Sequence, residues 1–469
     1  MIMLNRTILS LIAVLMLAAA LNGQSAFIRG ADLSYVQEME DCGALFKDTA
    51  GNPADPFELF AQAGCDMVRL RLWHTPAWYD TLNSGQRYSD FTDVLEAAQR
   101  SKGAGMGVLL DYHLSDFWAD PGRQWVPGAW LPVVHDLPAL SDSVYQHIYT
   151  TLMAMHEAGA LPEMVQVGNE TNRGILLTQE ENDAGWVLDW PRNAALFQAG
   201  LQAVSDVESE TGQDIRKAIH IAGPTNVGWL MEGFAANDVT GFEVIGLSYY
   251  WQWHQPTTIA QTGSIISSLV ADYPGKEVMI FETGYPWTMD WADGASNILT
   301  DTHPDYAPAS PDAQRRWLED LSDAVAANGG SGVFYWEPAW VSTACSTPWG
   351  QGSHKENATF FDFDSRVLEG GGMDWFGGEA TTPTIDAAPQ IQVVLQQRGQ
   401  ALWVELPAEL PALLRCDVYD IGGRGVRSFP LQGGGQEFRL SGLPAGTYVA
   451  VVQSAGQVFA SKLFEQAGE

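Results

Sequence analysis

The chain has 469 residues, of which 46% are hydrophobic and 17% charged, so it is long enough for one large globular domain and a smaller one. Its 24 basic and 57 acidic residues give a formal net charge of −33, which argues against nucleic acid and anionic membranes as partners, since both attract Lys and Arg. The 18 Trp residues exceed what a buried core usually needs, so we expect some to line a groove for a neutral ligand.

The first 26 residues predict an export signal peptide. Arg6 gives a basic start, residues 8–21 form an apolar run, and residues 22–26 turn small and polar. The run, about 14 residues, is short for a bilayer span. A buried N-terminal helix is the alternative. We expect cleavage near residues 23–26.

The four cysteines are Cys42, Cys65, Cys345 and Cys416, and their spacing matches no metal-site pattern. Export permits a disulfide bond. Cys42 and Cys65 are the nearest pair in sequence, but Cys65 fits equally well as a small buried residue. The pairing stays open.

Between residues 27 and 376, apolar strand-like segments alternate with helical ones. The predicted strands are 27–34, 67–73, 106–112, 164–170, 220–223, 244–251, 278–282 and 332–337. The predicted helices are 56–63, 90–102, 141–158, 191–210, 257–273 and 311–328. Eight strands in this order predict an α/β fold, a (β/α)8 TIM barrel. An open doubly wound sheet, the alternative, would want a Gly-rich phosphate loop after the first strand, and the sequence has none there.

The second predicted strand carries two arginines. Arg69 and Arg71 alternate with Val68, Leu70 and Leu72, so both arginines lie on one face of the strand. Helices cover the outer face of a barrel strand. We therefore expect both arginines to point into the barrel mouth.

The spacing of apolar residues changes after residue 376. Residues 377–390 are rich in Thr, Pro and Ala and predict a linker. Residues 391–469 predict a small all-β sandwich-like C-terminal domain, with turns at Gly-rich and Pro-Ala-Gly segments. Its strand candidates are 391–395, 401–406, 415–419, 437–440, 447–452 and 457–464.

Carboxyl, amide and aromatic side chains gather where the predicted strands end, which is where barrel enzymes carry their chemistry. Such a mixture suits a sugar, whose hydroxyls need polar partners and whose C–H faces stack on aromatic rings. The predicted substrate-binding residues are Asn169, Arg71, Asp111, His113, Asp116, Trp118, Tyr250, Trp287 and Trp336. For His113, a core histidine is the alternative, and for Trp251, Trp253 and Trp287 core packing is as plausible as groove lining.

Two carboxyls stand out as a catalytic pair. Glu170 follows Asn169 at the end of the fourth strand, and Glu282 ends the seventh. Glycoside cleavage needs one protonated and one ionised carboxyl. We assign Glu170 as general acid/base and Glu282 as nucleophile, with Asn169 placed to bond a sugar 2-hydroxyl. Two such glutamates at strand ends, one preceded by Asn, favour catalysis over structural ion pairs.

Neighbouring side chains support this assignment. The arginines of the second strand are expected to keep Glu282 ionised, and Tyr250 could do so by a hydrogen bond. The spacing of His, Asp and Cys predicts no catalytic zinc, so no cofactor is required for the chemistry.

At these residues the sequence resembles the arabinogalactan endo-β-1,4-galactanases of glycoside hydrolase family 53, over nearly all of residues 27–376. The matching segments are RGADLS (29–34), VRLRLW (68–73), DYHLSDFWADP (111–121), VGNETN (167–172), GLSYY (246–250), FYWEPAW (334–340) and ENATFFD (356–362). The resemblance implies a retaining endo-hydrolase of β-1,4-galactan, the side chains of type I arabinogalactan, with Glu170 as acid/base and Glu282 as nucleophile. Another β-glycanase of the same barrel clan, a mannanase or cellulase, and a non-catalytic glycan-binding protein stay open. A monomer is expected.

The resemblance also suggests a metal site. Some bacterial members hold a structural calcium ion in the loop after the seventh strand. Asp293 and Asn297 match that loop, whereas Ala295 stands where those members have His. These two matching side chains supply fewer ligands than the six to eight oxygens that calcium takes, so Asp293 and Asn297 are only candidate calcium ligands.

The C-terminal region resembles the sorting domain of the type IX secretion system of Bacteroidetes. The matching features are VYDIGGR (418–424), LPAGTY (443–448) and a last strand around Lys462. The resemblance implies the secretion machinery as a partner, and a secreted or cell-surface location. A generic β accessory or carbohydrate-binding module is the alternative.

Overall fold

The computed structural model describes residues 27–185, 188–377, 394–398, 401–406, 415–420, 425–431, 434–440, 443–444, 446–454 and 457–466. The predicted signal peptide (1–26) and all but the first residue of the predicted linker (377–390) lie outside these residues. The chain divides into two compact units between Thr382 and Pro383, and each is described by itself.

Eight parallel strands form a closed barrel in sequence order, with β8 paired to β1. They are β1 (Ile28–Asp32), β2 (Met67–Leu72), β3 (Gly107–Tyr112), β4 (Met164–Val167), β5 (Arg216–Ala222), β6 (Val244–Ser248), β7 (Glu277–Thr283) and β8 (Gly332–Tyr335). The predicted (β/α)8 barrel is confirmed, and closure excludes the open sheet. Strands β4 and β8 end before Glu170 and Glu337, so both side chains sit on the turns that follow.

The helices surround the barrel. They are α1 (Val36–Asp41), α2 (Pro56–Ala63), α3 (Phe91–Gly103), α4 (Leu137–Glu157), α5 (Gln179–Asp183), α6 (Trp190–Thr211), α7 (Val227–Ala236), α8 (Trp251–His254), α9 (Ile259–Asp272) and α10 (Pro311–Ala327). Helix α4 begins before the predicted Ser141, because the Asp136 side chain accepts a hydrogen bond from the Ala139 N–H and caps the first turn. In the part of the chain described here, no helix is long and apolar enough to cross a membrane.

The barrel interior is filled by side chains of the strands. Its apolar cluster, from β2 to β8, consists of Met67, Leu109, Met164, Ala218, Val244, Met279, Phe281 and Phe334, and Ile28 of β1 packs against it. Two residues further along four neighbouring strands, the same face carries the polar side chains Arg69, Asp111, Gln166 and His220. The even spacing confirms that the arginine face of β2 points inward.

A disulfide bond joins Cys42 to Cys345, with the two Cα atoms 5.5 Å apart. The sequence leaves the pairing open, and the nearest pair, Cys42 and Cys65, does not form, since Cys65 is a buried free thiol. The partners are 303 residues apart in sequence. Barrel closure explains the pairing, because it places the segment after β1 beside the segment after β8.

Beyond the barrel strands, β9 (Ser346–Thr347) and β10 (Gly350–Gln351) pair antiparallel.

The described part of the C-terminal unit contains β11 (Val394–Arg398), β12 (Ala401–Leu406), β13 (Arg415–Asp420), β14 (Gly425–Pro430), β15 (Gly434–Arg439), β16 (Gly446–Ser454) and β17 (Gln457–Gln466). They form two small antiparallel sheets, with the strand orders β11-β12-β15 and β14-β13-β16-β17. Leu402 and Val404 of one sheet share an apolar cluster with Val418 and Val452 of the other. Strand β14 is absent from the sequence prediction.

Gly246 of β6 offers a test of barrel packing. A Cβ at this position would overlap the Phe281 ring, so we expect Gly246→Ala to lower the free energy of unfolding by about 1–3 kcal/mol. Thermal unfolding followed by tryptophan fluorescence measures the change. Gly228→Ala is the matched control, since Gly228 lies exposed in α7 with no atom within 4 Å of its added Cβ. A Gly246→Ala protein as stable as the control would contradict this account of the core.

Candidate active site

A cavity of about 700 Å³ opens at the C-terminal ends of the strands. Its volume is in the range of roughly 300–1,000 Å³ typical of ligand sites. It is lined by residues at the ends of β5 and β7 and by residues of the segments that follow β3, β4, β6, β7 and β8. They are Trp118, Ala119, Asp120, Pro121, Arg123, Asn169, Glu170, Ala222, Tyr250, Trp253, His254, Glu282, Ser296, Asn297, Ile298, Trp336, Trp340, Trp349 and His354. Both predicted catalytic glutamates face this one cavity.

Glu170 sits on a sharp turn beyond β4. Its φ of 45° and the φ of 79° at Gly168 turn the chain away from the strand. The Ser248 hydroxyl donates to Glu170 Oε1 at 2.6 Å, and its oxygen lies 3.0 Å from His220 Nε2. Desolvation raises the pKa of Glu170 well above its usual range, the charge of Glu282 raises it further, and the Ser248 hydrogen bond opposes both. The site therefore favours the protonated form of Glu170.

Glu282 receives two donors. Arg69 Nη1 lies 3.0 Å from its Oε1, and the Tyr250 hydroxyl donates to its Oε2 at 3.0 Å. Burial raises the pKa of Glu282, whereas Arg69 and then Tyr250 lower it. Glu170 lacks such a cation contact, so its pKa is raised further. The geometry separates the carboxyls into one that holds a proton and one that loses it more readily.

Arg69 organises the floor of the cavity and is 1% exposed. Besides Glu282, its guanidinium donates to Asp32 at 2.9 Å and to Asp111 at 2.7 Å. It also donates to the Asn169 side-chain oxygen at 2.8 Å. One buried cation thus fixes Glu282 and the residue before Glu170 relative to each other.

Arg71 has different partners. Its guanidinium donates to Glu337 Oε1 at 2.8 Å and to the Ser89 hydroxyl at 3.1 Å, beneath the Trp118 ring. Arg71 is buried and does not line the cavity. The expectation that both arginines keep Glu282 ionised is therefore wrong for Arg71. Arg71 lies two residues further along β2 than Arg69, and its side chain reaches Glu337, on the turn after β8, instead.

Asn169 lines the cavity and is held on both sides of its amide. Its Nδ2 donates to the Ala119 carbonyl at 2.8 Å, and its Oδ1 lies 2.7 Å from His220 Nδ1. The side chain is 4% exposed. These contacts fix its orientation beside Glu170.

Asp111 and His113 lie buried behind the cavity wall. Asp111 accepts from Gln166 at 2.6 Å, and His113 Nε2 lies 3.1 Å from Asp111 Oδ2. His113 Nδ1 accepts from the Ala119 N–H at 3.2 Å, so both ring nitrogens have protein partners. This arrangement matches the core-histidine alternative, and burial lowers the pKa of His113.

Two other predicted residues also lie outside the cavity lining. Asp116 accepts from the backbone N–H groups of Thr75 at 2.9 Å and Gly128 at 2.8 Å, which ties two loops together. The Trp287 indole donates to the Glu356 carbonyl at 3.1 Å, and its ring packs on Phe363. Trp118, Tyr250 and Trp336, by contrast, line the cavity as predicted.

Several functional candidates escaped the sequence reading. Ser248 and His220 contact the catalytic side of the cavity from β6 and β5, and their inward spacing along those strands was a usable signal. Trp340 and Trp349 come from the segment after β8, where no strand end marks them. Trp340 ends the matching segment FYWEPAW (334–340), so the family resemblance was a usable signal for it, whereas Trp349 lies on a loop outside the matching segments.

The candidate calcium loop can be tested against its donors. The Asp293 carboxylate already accepts from the Ala295 N–H at 2.7 Å, the Ser342 hydroxyl at 2.5 Å and the Ser353 N–H at 2.7 Å. Asn297 is buried at the cavity wall. Within the described ranges, no three His, Cys, Asp or Glu side chains cluster as metal ligands. The Asp293 carboxylate and the Asn297 amide supply fewer oxygens than the six to eight that calcium takes, so the two residues stay candidate ligands only.

Comparison with known proteins shows the family of the barrel. The model of glycosyl hydrolase family 53 matches residues 28–371. The chain is 44% identical over 364 residues to an arabinogalactan endo-β-1,4-galactanase of Cellvibrio japonicus, covering 76% of this chain and 93% of that protein. It is 36% identical over 329 residues to an endo-β-1,4-galactanase of Bacillus subtilis, covering 68% and 72%.

A solved structure shares the architecture. The family 53 catalytic domain of Ignisphaera aggregans superposes with a TM-score of 0.67 at 32% identity, covering 76% of this chain and 97% of that domain. Residues 28–371 therefore form a glycoside hydrolase domain, and the chain belongs to glycosyl hydrolase family 53.

Proposed function

We propose that the protein is a secreted, retaining endo-hydrolase of β-1,4-galactosidic bonds in type I arabinogalactan. The observation that carries the proposal is the pair of carboxyls in one cavity, of which Glu282 contacts Arg69 and Tyr250 while Glu170 contacts Ser248. The names of the relatives from Cellvibrio japonicus and Bacillus subtilis support the galactan substrate.

The reaction runs in two displacements. Glu282 attacks the anomeric carbon, the bond to the leaving oxygen breaks, and Glu170 gives that oxygen its proton. Water then attacks the glycosyl–enzyme bond, passes its proton to Glu170 and frees Glu282. The contacts from Arg69 and Tyr250 suit an ionised nucleophile, and the desolvated position of Glu170 suits an acid.

Aromatic side chains give the cavity its affinity for sugar faces. Trp118, Trp253 and Trp336 line it together with Tyr250, and Asn169 adds an amide beside Glu170. Stacking on C–H faces combined with a few fixed polar groups is how proteins bind carbohydrate.

Replacement of either glutamate tests the catalytic assignment. We expect wild-type protein to release reducing ends from galactan, and from neither mannan nor cellulose. Glu170→Gln removes the acid and should lower kcat by about 10²–10⁴-fold. Glu282→Gln removes the nucleophile and should abolish release. Proton NMR of the first product should show the β-anomer, as a retaining enzyme requires.

Glu157→Gln is the matched control, since Glu157 is exposed at the end of α4 and outside the cavity. Release of reducing ends from mannan alone would overturn galactan as the substrate. Folded wild-type protein that cleaves none of the three polymers would overturn the enzyme assignment and favour a glycan-binding protein.

Tyr250→Phe tests the electrostatics at Glu282. The phenol donates to the charged form of Glu282, so its loss should raise the pKa of that carboxyl. The enzyme needs Glu282 ionised, and the acidic limb of the kcat/KM profile should therefore move to higher pH, by about one unit.

Tyr249→Phe is the control for this shift, because the Tyr249 hydroxyl donates to the Thr257 carbonyl and has no contact with Glu282. Its acidic limb should coincide with that of the wild type. An unshifted limb in Tyr250→Phe would show that the hydrogen bond does not set the ionisation of Glu282.

We also propose export by the N-terminal signal peptide and outer-membrane passage directed by the C-terminal unit. The support is the basic, apolar and small-residue order of residues 1–26 and the motifs at 418–424 and 443–448. An enzyme that degrades a polymer must reach it outside the cell.

Removal of residues 383–469 tests the role of the C-terminal unit. Since the cavity is built from the other unit, we expect unchanged turnover of soluble galactan. In a host with a type IX secretion system, the truncated protein should stay in the periplasm, as cell fractionation and immunoblotting would measure. Normal export of the truncated protein, with a loss on insoluble substrate only, would instead identify a binding module.

A further inference from the structure

Glu170 lies where the barrel sheet no longer holds the backbone. Strand β4 ends at Val167, whereas Glu282 lies inside β7. The φ of 45° at Glu170 is in the left-handed region, which residues other than glycine keep only where the surrounding structure imposes it. The conformation of Glu170 therefore depends on contacts outside the strand ladder.

One of these contacts comes from Gln124, on the segment between β3 and α4. Its side chain is 2% exposed and does not line the cavity. The amide Nε2 donates to the Asn169 carbonyl at 2.8 Å, to the Glu170 carbonyl at 3.2 Å and to the Asp120 carbonyl at 3.1 Å. A carbonyl oxygen can only accept, so the nitrogen end of the Gln124 amide must face all three.

Two of the three carbonyls lie on either side of the Glu170 Cα. The Asn169 and Glu170 carbonyls belong to the peptide planes before and after it, and φ and ψ of Glu170 set the angle between these planes. The Glu170 N–H reaches His220 Nδ1 at 3.4 Å, and its carbonyl accepts from the Asn172 N–H at 2.9 Å, so each of these contacts supports one plane. The Gln124 amide ties the two planes to each other. It thereby sets the direction in which the Glu170 side chain leaves the backbone.

Gln124 itself is held from the segment that follows β4. Its N–H donates to Asn182 Oδ1 at 3.1 Å, and its carbonyl accepts from the Leu177 N–H at 2.7 Å. Asn182 lies in α5, and Leu177 lies in the loop before it. The segments after β3 and β4 are thus bonded to each other around Glu170, and the Gln124 amide reaches it from a fixed position.

The chemistry explains why the backbone has to carry this constraint. A general acid must keep a carboxyl oxygen available to the leaving group, at a distance of roughly 2.6–3.2 Å. Side-chain contacts that enclosed the Glu170 carboxyl would obstruct that transfer. The Ser248 hydroxyl bonds its Oε1, and the remaining constraint has to act on the main chain.

We propose that Gln124 is a positioning residue for the general acid/base, which fixes the Glu170 main chain so that the carboxyl meets the leaving oxygen. The inference rests on the proposed glycan hydrolysis and adds to it a residue that acts through Glu170 without touching substrate. A displacement of about 1 Å in a catalytic group can cost on the order of 100-fold in rate.

The test compares two leaving groups. A β-1,4-galacto-oligosaccharide loses a sugar alkoxide that needs the proton of Glu170, whereas a dinitrophenyl β-galactobioside loses a phenolate that leaves with its electron pair and needs none. In both, Glu282 forms the new bond to the anomeric carbon, and kcat/KM reports that first displacement. Gln124→Met removes both N–H donors and keeps a side chain of similar length. It should lower kcat/KM about 10- to 100-fold on the oligosaccharide and leave the dinitrophenyl substrate nearly unchanged. Glu170→Gln should give the same pattern, more strongly.

Gln314→Met is the matched control. Gln314, in α10, is also buried, and its Nε2 donates to the carbonyls of Tyr285 at 2.9 Å and Thr359 at 3.2 Å, outside the cavity lining. Loss of a buried amide donor should lower Tm in both variants. A smaller active fraction lowers kcat/KM equally on both substrates, so the ratio of the two values should stay at the wild-type level in Gln314→Met and fall in Gln124→Met.

A crystal structure of Gln124→Met supplies a readout that does not depend on activity. Without the amide that joins the two peptide planes, the Glu170 carboxyl should be withdrawn from the Ser248 hydroxyl. An unchanged ratio of kcat/KM values in Gln124→Met would overturn the positioning role. A lower ratio with an unmoved Glu170 would overturn it as well, since Gln124 would then act by another route.

Failure of the proposed function gives a different result. If the wild type cleaves no galactan but cleaves another β-glycan, the proposed substrate fails, and the same two leaving groups on that glycan test Gln124. If it cleaves no glycan, only the proposed function has failed, and the crystal structure decides: a displaced Glu170 supports the role of Gln124, and an unmoved one overturns it.

Discussion

The active site depends on one buried guanidinium. Arg69 contacts Asp32, Asp111 and Glu282, and also the amide oxygen of Asn169. A charge with 1% exposure is tolerable only when such partners replace water. Because these four acceptors come from four different strands or strand ends, their distances to one another are set by a rigid planar group. The relative placement of the two catalytic residues follows from that constraint.

A second layer of buried charge stands beside the first. Arg71 pairs with Glu337, and Lys355 is buried next to them with its ammonium bonded to the Trp336 carbonyl. Burial lowers the pKa of Lys355 to about 7, although the charges of Glu337, Asp32 and Glu282 oppose the shift. Carboxylates outnumber cations here, which adds to the desolvation that keeps the pKa values of Glu170 and Glu337 high. The buried cations thus neutralise the buried carboxylates only in part, and unequally.

The sequence predicts the parts of this site that depend on local pattern. Glu170 and Glu282 follow apolar strands, and period two places Arg69 inside the barrel. The carboxylate partners of the two arginines, however, cannot be predicted from a local pattern. Arg69 and Arg71 share one face and differ only in height along β2, and that height decides between Glu282 and Glu337. Height is set by the stagger of the closed barrel, which no local pattern encodes.

The same closure explains the contacts that are most remote in sequence. Pairing of β8 with β1 places the segments that follow them side by side, so Arg71 meets Glu337 and Cys42 meets Cys345 at separations of 266 and 303 residues. Such contacts require the closed barrel, because an open sheet would leave β1 and β8 at opposite edges. The Arg71–Glu337 ion pair and the Cys42–Cys345 disulfide therefore both depend on the pairing of β1 with β8. The disulfide makes the loop contact across that edge covalent, and with 303 residues between its cysteines it closes a long loop of the unfolded chain.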